Sequence, residues 1–254
     1  MSSLPNHPGE RRGIVVLDQH EIDNCSRRGD TEFLTDNEVH VLCYPVTEEN
    51  ASDALQNILA SGLARPGTIL IQSPFDHNEY VDAAEASQYF ALAKHTILSN
   101  FCQLLGATRV SVTQMDVVTN GKVQTIKLEA GVEAYAAKGG GEFENEMTEK
   151  LSSQISLVDE YTGSDADTDS AEVLLRSCHL MGDSNMKSLL QARKAVGNPL
   201  TRRTIQVNLS TEANKNLKVV GRLEIPTATV SAEYKSTLEQ TTEYKLTLEV
   251  LFPG

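Results

Sequence analysis

Near the end of the chain, apolar and polar residues alternate strictly. The apolar positions are Tyr244, Leu246, Leu248 and Val250, and the polar positions between them are Lys245, Thr247 and Glu249. Because successive side chains of a β-strand point to opposite faces of the sheet, this alternation predicts a strand with one buried and one hydrated face. Similar alternation occurs in Ile205–Leu209, Leu217–Ile225 and Val230–Leu238. We therefore expect an antiparallel meander in the C-terminal part of the chain.

The first half of the chain mixes strands and helices without a regular βαβ repeat. The predicted strands are Gly13–Leu17, Glu38–Val46 and Thr68–Gln72, and the predicted helices run from Glu48 to Ser61 and from Glu79 to Leu105. Thr47 is the expected N-cap of the first helix, and Gly106 ends the second. The polar residues 1–12 predict a loose tail, and Asn24–Asp36 a loop. The fold class predicted from this order is α+β, with a mixed N-terminal sheet and one long helix followed by the C-terminal antiparallel meander.

A hairpin is predicted in the middle of the chain. The dipeptide Asn120-Gly121 separates the segments Arg109–Val117 and Lys122–Val132, and both residues of the dipeptide tolerate positive φ. Such a pair is a strong signal for a tight two-residue turn. After this hairpin we expect a helix over Glu142–Ser152 and a strand over Gln154–Tyr161.

A polar segment without large apolar residues divides the sequence. Thr162–Ser170 is the best candidate for a linker, because it has little apolar surface to bury. The division gives an α/β-like part, residues 1–161, and a second part, residues 171–254, although one continuous domain is also compatible with the pattern. The second part is expected to begin with two helices. These helices are Ala171–Met181 and Asn185–Val196, the latter capped by Asp183 or Ser184.

Charge is distributed in two blocks of opposite sign. Residues 142–172 contain ten acidic side chains and one lysine, whereas residues 185–222 contain eight basic side chains and one glutamate, in a chain of net charge -13. Such blocks repel themselves unless they face each other, an ion or a partner. Pairing between the two blocks is the structural interpretation. The functional alternative is a binding site for an anionic ligand or an acidic partner, formed by Arg193, Lys194, Arg202 and Arg203.

Composition narrows the class of protein. No uncharged apolar stretch approaches the roughly 20 residues of a membrane-spanning helix, and residues 1–13 lack the apolar centre of a secretory signal. The four cysteines are far apart in sequence, so zinc and redox motifs are not indicated and thiols in a reducing cytoplasm are expected. The acidic total disfavours nucleic-acid binding. We expect a soluble cytoplasmic protein without a cofactor.

One group of carboxylates is a candidate metal site. Asp165, Asp167 and Asp169 alternate along the predicted linker, where their oxygens could meet on a divalent cation. An EF-hand loop also needs a glycine and a bidentate glutamate, but those positions hold Ser170 and Arg176. A solvated acidic linker is therefore the simpler interpretation, and a weak metal site is the alternative.

A second group of polar residues follows a buried strand. Asp76, His77 and Glu79 lie between Thr68–Gln72 and the long predicted helix. Acids, bases and anion sites are often placed at the carboxyl ends of strands and at the starts of helices. Capping of the helix by Asp76 or Asn78 is the structural alternative.

The sequence contains no strong catalytic signature. Glu233–Lys235 and Glu243–Lys245 match the E-x-K of nuclease strands, but their charged residues fall on the polar face of amphipathic strands. We therefore expect a non-catalytic interaction or assembly protein that acts through a protein partner or as a homo-oligomer. Two alternatives are left open. One is a metal-dependent hydrolase or nuclease that uses Asp76, Glu79 or the acidic loop, and the other is a membrane-active protein that inserts amphipathic strands.

Overall fold

The fold is α+β, as predicted. The computed structural model describes residues 3–46, 51–127, 151, 153–155, 158–195, 200–223 and 242–254. Two compact units are formed. Unit 1 consists of Met1–Tyr89 and Glu212–Thr241, and unit 2 consists of Phe90–Thr211 and Thr242–Gly254. The predicted division into residues 1–161 and 171–254 stays a prediction.

The strands and helices are numbered along the chain. The strands are β1 (Gly13–Asp18), β2 (Val39–Tyr44), β3 (Ile69–Gln72), β4 (Tyr80–Asp82), β5 (Arg109–Thr119), β6 (Lys122–Lys127), β7 (Asp159–Glu160), β8 (Arg202–Asn208) and β9 (Thr242–Leu251). The helices are α1 (Gln19–Arg28), α2 (Asp53–Ala60), α3 (Ala86–Leu104), α4 (Thr168–Ser177), α5 (Ser184–Lys194) and α6 (Ala213–Gly221).

Unit 1 is built on a mixed sheet with the strand order β2-β1-β3-β4. β1 pairs with β2 in parallel and with β3 in the antiparallel direction, and β4 is antiparallel to β3. The first three strands confirm the predicted ones. β4 was predicted as the beginning of the long helix, and this prediction is wrong because its three residues pair with β3. The long helix α3 consequently begins at Ala86 instead of Glu79.

Helix α1 directly follows β1, in a region where a loop over Asn24–Asp36 was predicted. The Asp18 carboxylate accepts a hydrogen bond from Glu21 N, and the Glu21 carboxylate accepts one from Asp18 N. This capping box satisfies two backbone donors at the start of the helix. Gly29 ends the helix at a φ of 82°, a conformation that glycine adopts without strain. The predicted loop is therefore wrong in its N-terminal part.

Helix α2 contributes its apolar face to the core of unit 1. The core residues include Ala54, Leu55 and Ile58 of α2 together with Ile14, Val16, Leu42 and Leu70 of the sheet. Ser52 caps the helix, since its hydroxyl accepts a hydrogen bond from Leu55 N. The helix therefore begins at Asp53, and the predicted start at Glu48 lies outside the described residues. Thr47, the predicted N-cap, lies outside the described residues.

The N-terminal segment packs on unit 1 and does not form the loose tail predicted for residues 1–12. The Leu4 side chain belongs to the apolar core of this unit. Pro8–Glu10 forms one turn of 3-10 helix, and Arg11 is only 5% exposed. The prediction failed because one apolar side chain and one buried guanidinium anchor an otherwise polar segment.

Helix α6 occupies part of a segment that was predicted as the strand Leu217–Ile225. Its buried residues include Ala213, Asn216, Leu217 and Val220. This spacing of three and four residues is that of one helix face. Gly13 of β1 leaves room for the helix, because a Cβ at this position would overlap the Val220 side chain. The strand prediction is therefore wrong for the described part of this segment.

Unit 2 contains an antiparallel sheet with the strand order β6-β5-β9-β8, and β7 pairs with the start of β5. Asn120 and Gly121 connect β5 to β6 with φ values of 50° and 77°, which confirms the predicted turn. In β9 the predicted apolar positions are buried: Tyr244, Leu246, Leu248 and Val250. β9 pairs with β5 on one side and β8 on the other, so the last strand is not an edge of the sheet.

The predicted linker is a packed segment of unit 2. Tyr161 N donates a hydrogen bond to Thr108 O at 2.9 Å, and Asp167 N donates one to Leu104 O at 2.8 Å. A Cβ on Gly163 would come within 2.8 Å of the Thr108 side chain. Backbone hydrogen bonds therefore order a sequence whose composition alone indicates a linker.

Helices α4 and α5 both begin at aspartate caps. Asp183 caps α5, as predicted, and Asp167 caps α4, which begins at Thr168 instead of the predicted Ala171. Most of the predicted helix Glu142–Ser152 and the predicted strand Val230–Leu238 lie outside the described residues. None of the four cysteines forms a disulfide. Within the ranges that the structure describes, no helix has the length and apolarity to cross a bilayer.

Candidate functional site

An open pocket in unit 1 lies beside β4. Its volume is about 460 Å³. The lining comes from α2 and the residues that follow it, from the β3–β4 turn, from β4, and from the segment that leads into α3. The pocket is therefore formed entirely by residues of unit 1.

Four carboxylates contribute to the pocket lining. They belong to Asp76, Glu79, Asp82 and Glu85, which occupy every third position of this stretch of sequence. No lysine, arginine or histidine of the described ranges contributes to the lining. Because like charges close together repel each other, a cation in the pocket would lower the electrostatic free energy of this group.

Hydrogen bonds between side chains and the neighbouring backbone stabilise the turn that carries Asp76 and Glu79. Ser73 Oγ accepts hydrogen bonds from Phe75 N and Asp76 N, both at 3.3 Å. Asp76 Oδ1 accepts one from Asn78 N at 2.9 Å. Serine and aspartate commonly stabilise turns in this way. The local sequence thus fixes the backbone on which Asp76 and Glu79 reach the pocket.

Tyr89, in the first turn of α3, places an aromatic ring in the pocket lining. Its side chain is unusually exposed for a large aromatic residue, at 44%. The hydroxyl donates a hydrogen bond to Glu79 Oε1 at 2.6 Å. This bond, together with burial and the charge of Glu79, raises the pKa of Tyr89 to about 12. Tyr89 is therefore a phenol at neutral pH and holds the Glu79 carboxylate in place.

A buried polar network supports the turn from inside unit 1. Tyr80 Oη accepts hydrogen bonds from Arg11 Nη1 at 2.9 Å and from Gln72 Nε2 at 3.2 Å, and it donates one to Arg11 O at 2.9 Å. Gln72 Nε2 also donates to His77 O at 3.0 Å. Burial raises the pKa of Tyr80, and the nearby Arg11 acts in the opposite direction. Both tyrosines of the pocket are thus hydrogen-bonded through their hydroxyls.

The structure brings together two members of the predicted cluster of Asp76, His77 and Glu79. Asp76 and Glu79 line the pocket, but His77 does not. The His77 backbone carbonyl instead accepts hydrogen bonds from the buried network. Because the cluster precedes β4, the predicted role of Asp76 as a cap of the long helix is wrong, and this side chain stabilises a turn.

Of the pocket residues, the sequence pattern identified only Asp76 and Glu79 as candidates. Asp82, Glu85 and Tyr89 were assigned to the long helix without a functional role. The regular spacing of acidic residues from Asp76 to Glu85 is the signal that could have identified Asp82 and Glu85. Tyr89 carries no comparable signal, because an aromatic residue within a helix is usually part of the core.

Two of the predicted anion-binding residues, Arg193 and Lys194, lie at the end of α5. Arg193 Nε donates to Leu105 O at 3.0 Å, and Nη1 donates to Leu200 O at 2.9 Å. Burial lowers the pKa of Arg193. Lys194 Nζ lies 2.5 Å from Glu172 Oε2, and this contact, followed by that of Arg176, lowers the pKa of Glu172 to about 2.

The other two predicted anion-binding residues, Arg202 and Arg203, lie on β8. Arg202 Nε donates to Glu249 Oε1 at 2.6 Å. Arg203 Nη2 donates to Ser188 Oγ at 2.8 Å. All four predicted residues thus have partners within unit 2, and the Lys194–Glu172 pair joins the two charge blocks. The anion site stays a prediction that this geometry does not favour.

The predicted metal ligands Asp165, Asp167 and Asp169 lie before and within the first turn of α4. Asp167 Oδ1 accepts a hydrogen bond from Ser170 N at 2.9 Å, and this contact lowers the pKa of Asp167. In the part of the chain that the structure describes, no three His, Cys, Asp or Glu side chains are placed to hold a metal ion. The weak metal site therefore stays a prediction.

A second group of polar side chains connects α3 to β7 in unit 2. Ser99 Oγ donates a hydrogen bond to Asp159 Oδ2 and lies 2.7 Å from Tyr161 Oη. His95 and Cys102 occupy the same region of α3, and both are buried. Burial, assisted by the charge of Asp159, raises the pKa of Cys102 to about 12. Cys102 is therefore a protonated thiol at neutral pH, which disfavours a nucleophilic role.

Comparison with known proteins adds no functional information. Models of protein families, curated proteins and solved structures were searched with this chain, and none of them matches it. The functional assignment consequently depends on the geometry and chemistry of the pocket.

Proposed function

We propose that this chain is a non-catalytic interaction protein that binds a basic segment of a protein partner in the acidic pocket of unit 1. One observation carries the proposal. Four carboxylates and two tyrosines line the pocket, and the described residues contribute no cationic side chain to it. This combination is complementary to a guanidinium or ammonium group.

Electrostatics favour a basic partner. The four pocket carboxylates carry the same charge, so a basic group bound among them is attracted by more than one of them. The whole chain carries a net charge of -13, which attracts basic molecules from a distance and accelerates their association at low salt. We therefore expect the affinity for a basic partner to decrease as the salt concentration increases.

The aromatic part of the pocket lining favours an arginine side chain over a lysine side chain. A guanidinium group stacks on an aromatic face and also donates paired hydrogen bonds to a carboxylate. Tyr89 and Glu79 offer these two elements side by side, because the tyrosine hydroxyl is bound to the glutamate. Lysine can pair with a carboxylate, but it lacks the planar fork of donors.

The size of the pocket favours a segment of polypeptide over a single ion. A volume of about 460 Å³ falls within the range of about 300–1,000 Å³ that is typical of ligand sites. Ser61 and Asn57 also line the pocket; Asn57 Nδ2 donates to Asn78 O, so the Ser61 hydroxyl and Asn57 Oδ1 are the neutral polar groups offered to a partner's backbone. A short segment with one or more arginines fits this surface.

Binding is better supported than catalysis because of the side chains that the pocket contains. No histidine or cysteine of the described residues lines it, and the pKa of Tyr89 is raised to about 12 by its hydrogen bond to Glu79, so this phenol is a hydrogen-bond donor to Glu79 and not a base at neutral pH. The alternatives of a metal-dependent hydrolase and a membrane-active protein stay predictions from the sequence. No contact of the described residues favours either one over binding.

A titration with a defined peptide tests the proposal. The probe is a fluorescein-labelled peptide of four Arg-Gly repeats, and the same peptide with glutamine in place of arginine is the neutral comparison. Fluorescence anisotropy is measured as the protein is added. We expect saturable binding of the arginine peptide with one peptide per chain, weaker binding at higher salt, and no binding of the glutamine peptide.

Matched variants separate the pocket from the general acidity of the chain. Glu79→Gln combined with Glu85→Gln removes two pocket charges and keeps an acceptor for Tyr89. Glu10→Gln combined with Glu32→Gln removes two exposed charges of unit 1 outside the pocket. We expect the pocket variant to bind about tenfold more weakly, a loss of about 1.4 kcal/mol, and the control to bind nearly as the wild type does. Equal weakening in both variants would refute a specific pocket.

A further inference from the structure

We propose that Arg11 is the positioning residue of the acidic pocket: from the N-terminal segment, it fixes the turn through His77 and Asn78 and thereby the carboxylates of Asp76 and Glu79. The consequence for binding rests on the proposed function. The structural part of the inference, that Arg11 orders the turn, is independent of it.

All side-chain hydrogen bonds of Arg11 in the described structure go to this turn and to the strand that follows it. Nη1 donates to His77 O at 3.1 Å and to Tyr80 Oη at 2.9 Å. Nη2 donates to Asn78 Oδ1 at 3.3 Å. The guanidinium carbon lies 5.9 Å from the centre of the Tyr80 ring. The planar fork of the guanidinium thus joins three residues of one short segment.

The burial of Arg11 costs free energy, which indicates a role beyond stabilising unit 1. The residue is 5% exposed, and the ion pairs among the described residues do not include it. Its Nε is buried without a hydrogen-bond partner. Burying a charge without a carboxylate partner costs free energy, and an apolar side chain of similar length would avoid that cost. Unlike an apolar side chain, a guanidinium group has charged donors in fixed directions, so it can hold the turn in one conformation.

A second anchor makes it possible to remove Arg11 without leaving its buried acceptors unpaired. Gln72 Nε2 donates to both His77 O and Tyr80 Oη, which are two of the three acceptors of Arg11. Arg11→Met should therefore preserve much of the stability of unit 1. The contact that Gln72 does not replace is the one to the Asn78 side chain, whereas the Asn78 backbone carbonyl accepts a hydrogen bond from Asn57 Nδ2 at 3.1 Å.

Loss of the contact between Arg11 and the Asn78 side chain affects the carboxylates of Asp76 and Glu79 through the backbone of the turn. Asn78 N is bound to Asp76 Oδ1, and Glu79 N donates to Asp76 O at 3.1 Å. Asp76 and Glu79 are therefore held on either side of the residues that Arg11 contacts. When these residues become mobile, the carboxylates no longer occupy fixed positions relative to Tyr89, and their combined contribution to binding decreases.

Hydrogen exchange of the turn amides tests the positioning role directly. For Arg11→Met we expect the amides of Asn78 and Glu79 to exchange at least about tenfold faster, with little change elsewhere in unit 1. Leu42→Ala, in the core of the same unit, is the matched control for general destabilisation. If Arg11→Met accelerates exchange uniformly across unit 1, as the control does, Arg11 is a structural residue and the inference is wrong.

Binding of the Arg-Gly peptide to the same variants supplies the second measurement. We expect about tenfold weaker binding for Arg11→Met, intermediate binding for Arg11→Lys, which keeps the charge without the fork, and wild-type affinity for folded Leu42→Ala. If wild type binds and Arg11→Met binds equally well, the inference fails while the proposed function stands. If wild type does not bind, the proposed function fails, and the exchange of the turn amides alone decides whether Arg11 orders the turn.

Discussion

Lys94 Nζ lies 2.9 Å from Asp183 Oδ2, and the two side chains are 1% and 10% exposed. The same ammonium group donates to Asn208 O at 2.8 Å. Asp183 Oδ1 caps α5 by accepting hydrogen bonds from Asn185 N and Met186 N. One aspartate of unit 2 therefore caps a helix and compensates a buried charge at the same time.

Removing the charge of Asp183 should destabilise unit 2 strongly. Asp183→Asn keeps a capping oxygen but leaves the Lys94 ammonium without this carboxylate, so we expect a loss of about 3 kcal/mol in the free energy of unfolding. Combining it with Lys94→Met removes the buried charge, and we expect the double variant to recover part of the loss. Urea unfolding measures both effects. Asp167→Asn, at the exposed cap of α4, is the control and should change stability little; an equal loss there would contradict the role of the buried pair.

His95 should make stability depend on pH between about pH 7 and pH 5. Burial lowers its pKa below the ordinary value of 6.5, and the charge of Asp159 acts in the opposite direction without reversing the shift. The folded protein therefore holds His95 neutral at a pH where the unfolded chain already binds a proton. This contribution to stability is complete above pH 6.5 and is lost as the pH falls through that value toward the lower pKa of the folded state.

The variant His95→Gln tests this pH dependence. Urea unfolding at a series of pH values should show a shallower decrease in stability for the variant than for the wild type between pH 7 and pH 5. The slope reports proton binding, so it stays informative even if the variant is less stable at every pH. Identical slopes would contradict the assignment. His40, whose pKa burial also lowers, should produce a change in the same direction when it is replaced by glutamine.

Two glycines with similar backbone conformations should respond differently to alanine. Gly121 and Gly106 have φ values of 77° and 80°, so alanine is strained at both positions by roughly 1–2 kcal/mol. A Cβ on Gly121 meets nothing within 4 Å, whereas one on Gly106 would overlap the carbonyl oxygen of Ser164. We expect Gly106→Ala to be the more destabilising of the two in urea unfolding, because backbone atoms must move. Equal losses would show that overlap at Gly106 is relieved without cost.

The sequence predicted best those elements whose pattern is local. β9 alternates from Glu243 to Val250, and this two-fold period matches the burial seen in the structure. The turn at Asn120-Gly121 is determined by the conformational freedom of its own two residues. Neither feature depends on distant parts of the chain, which is why a single sequence suffices to predict them.

Elements that are stabilised by contacts with other parts of the chain were not predictable from a local pattern. Asn216 lies on the buried face of α6 because its side chain donates a hydrogen bond to Gln72 O, and a buried asparagine hides the helical period. β4 has three residues, which is too few to establish a period, and it exists because β3 lies beside it. The first error arises from a contact between residues far apart in sequence, and the second arises because β4 is too short to show a period.

The candidate site was predictable in part for the same reason. Asp76 and Glu79 follow a buried strand, and this position identified them. The roles of Arg11 and Tyr89 depend on how the N-terminal segment and α3 approach the turn, which no local pattern shows. The basic residues at 193–194 and 202–203 suggested a ligand site because sequence does not reveal that their partners lie within unit 2.

Photo-crosslinking of the Arg-Gly peptide tests most directly whether the acidic pocket is the binding surface. A benzophenone group is placed next to the central arginine, the complex is irradiated, and mass spectrometry locates the crosslinked residues. We expect crosslinks to concentrate in residues 57–63 and 76–89, which contain the pocket lining, and to disappear in Glu79→Gln combined with Glu85→Gln. Crosslinks concentrated in the acidic block at residues 142–172, or spread evenly over the chain, would contradict the proposal.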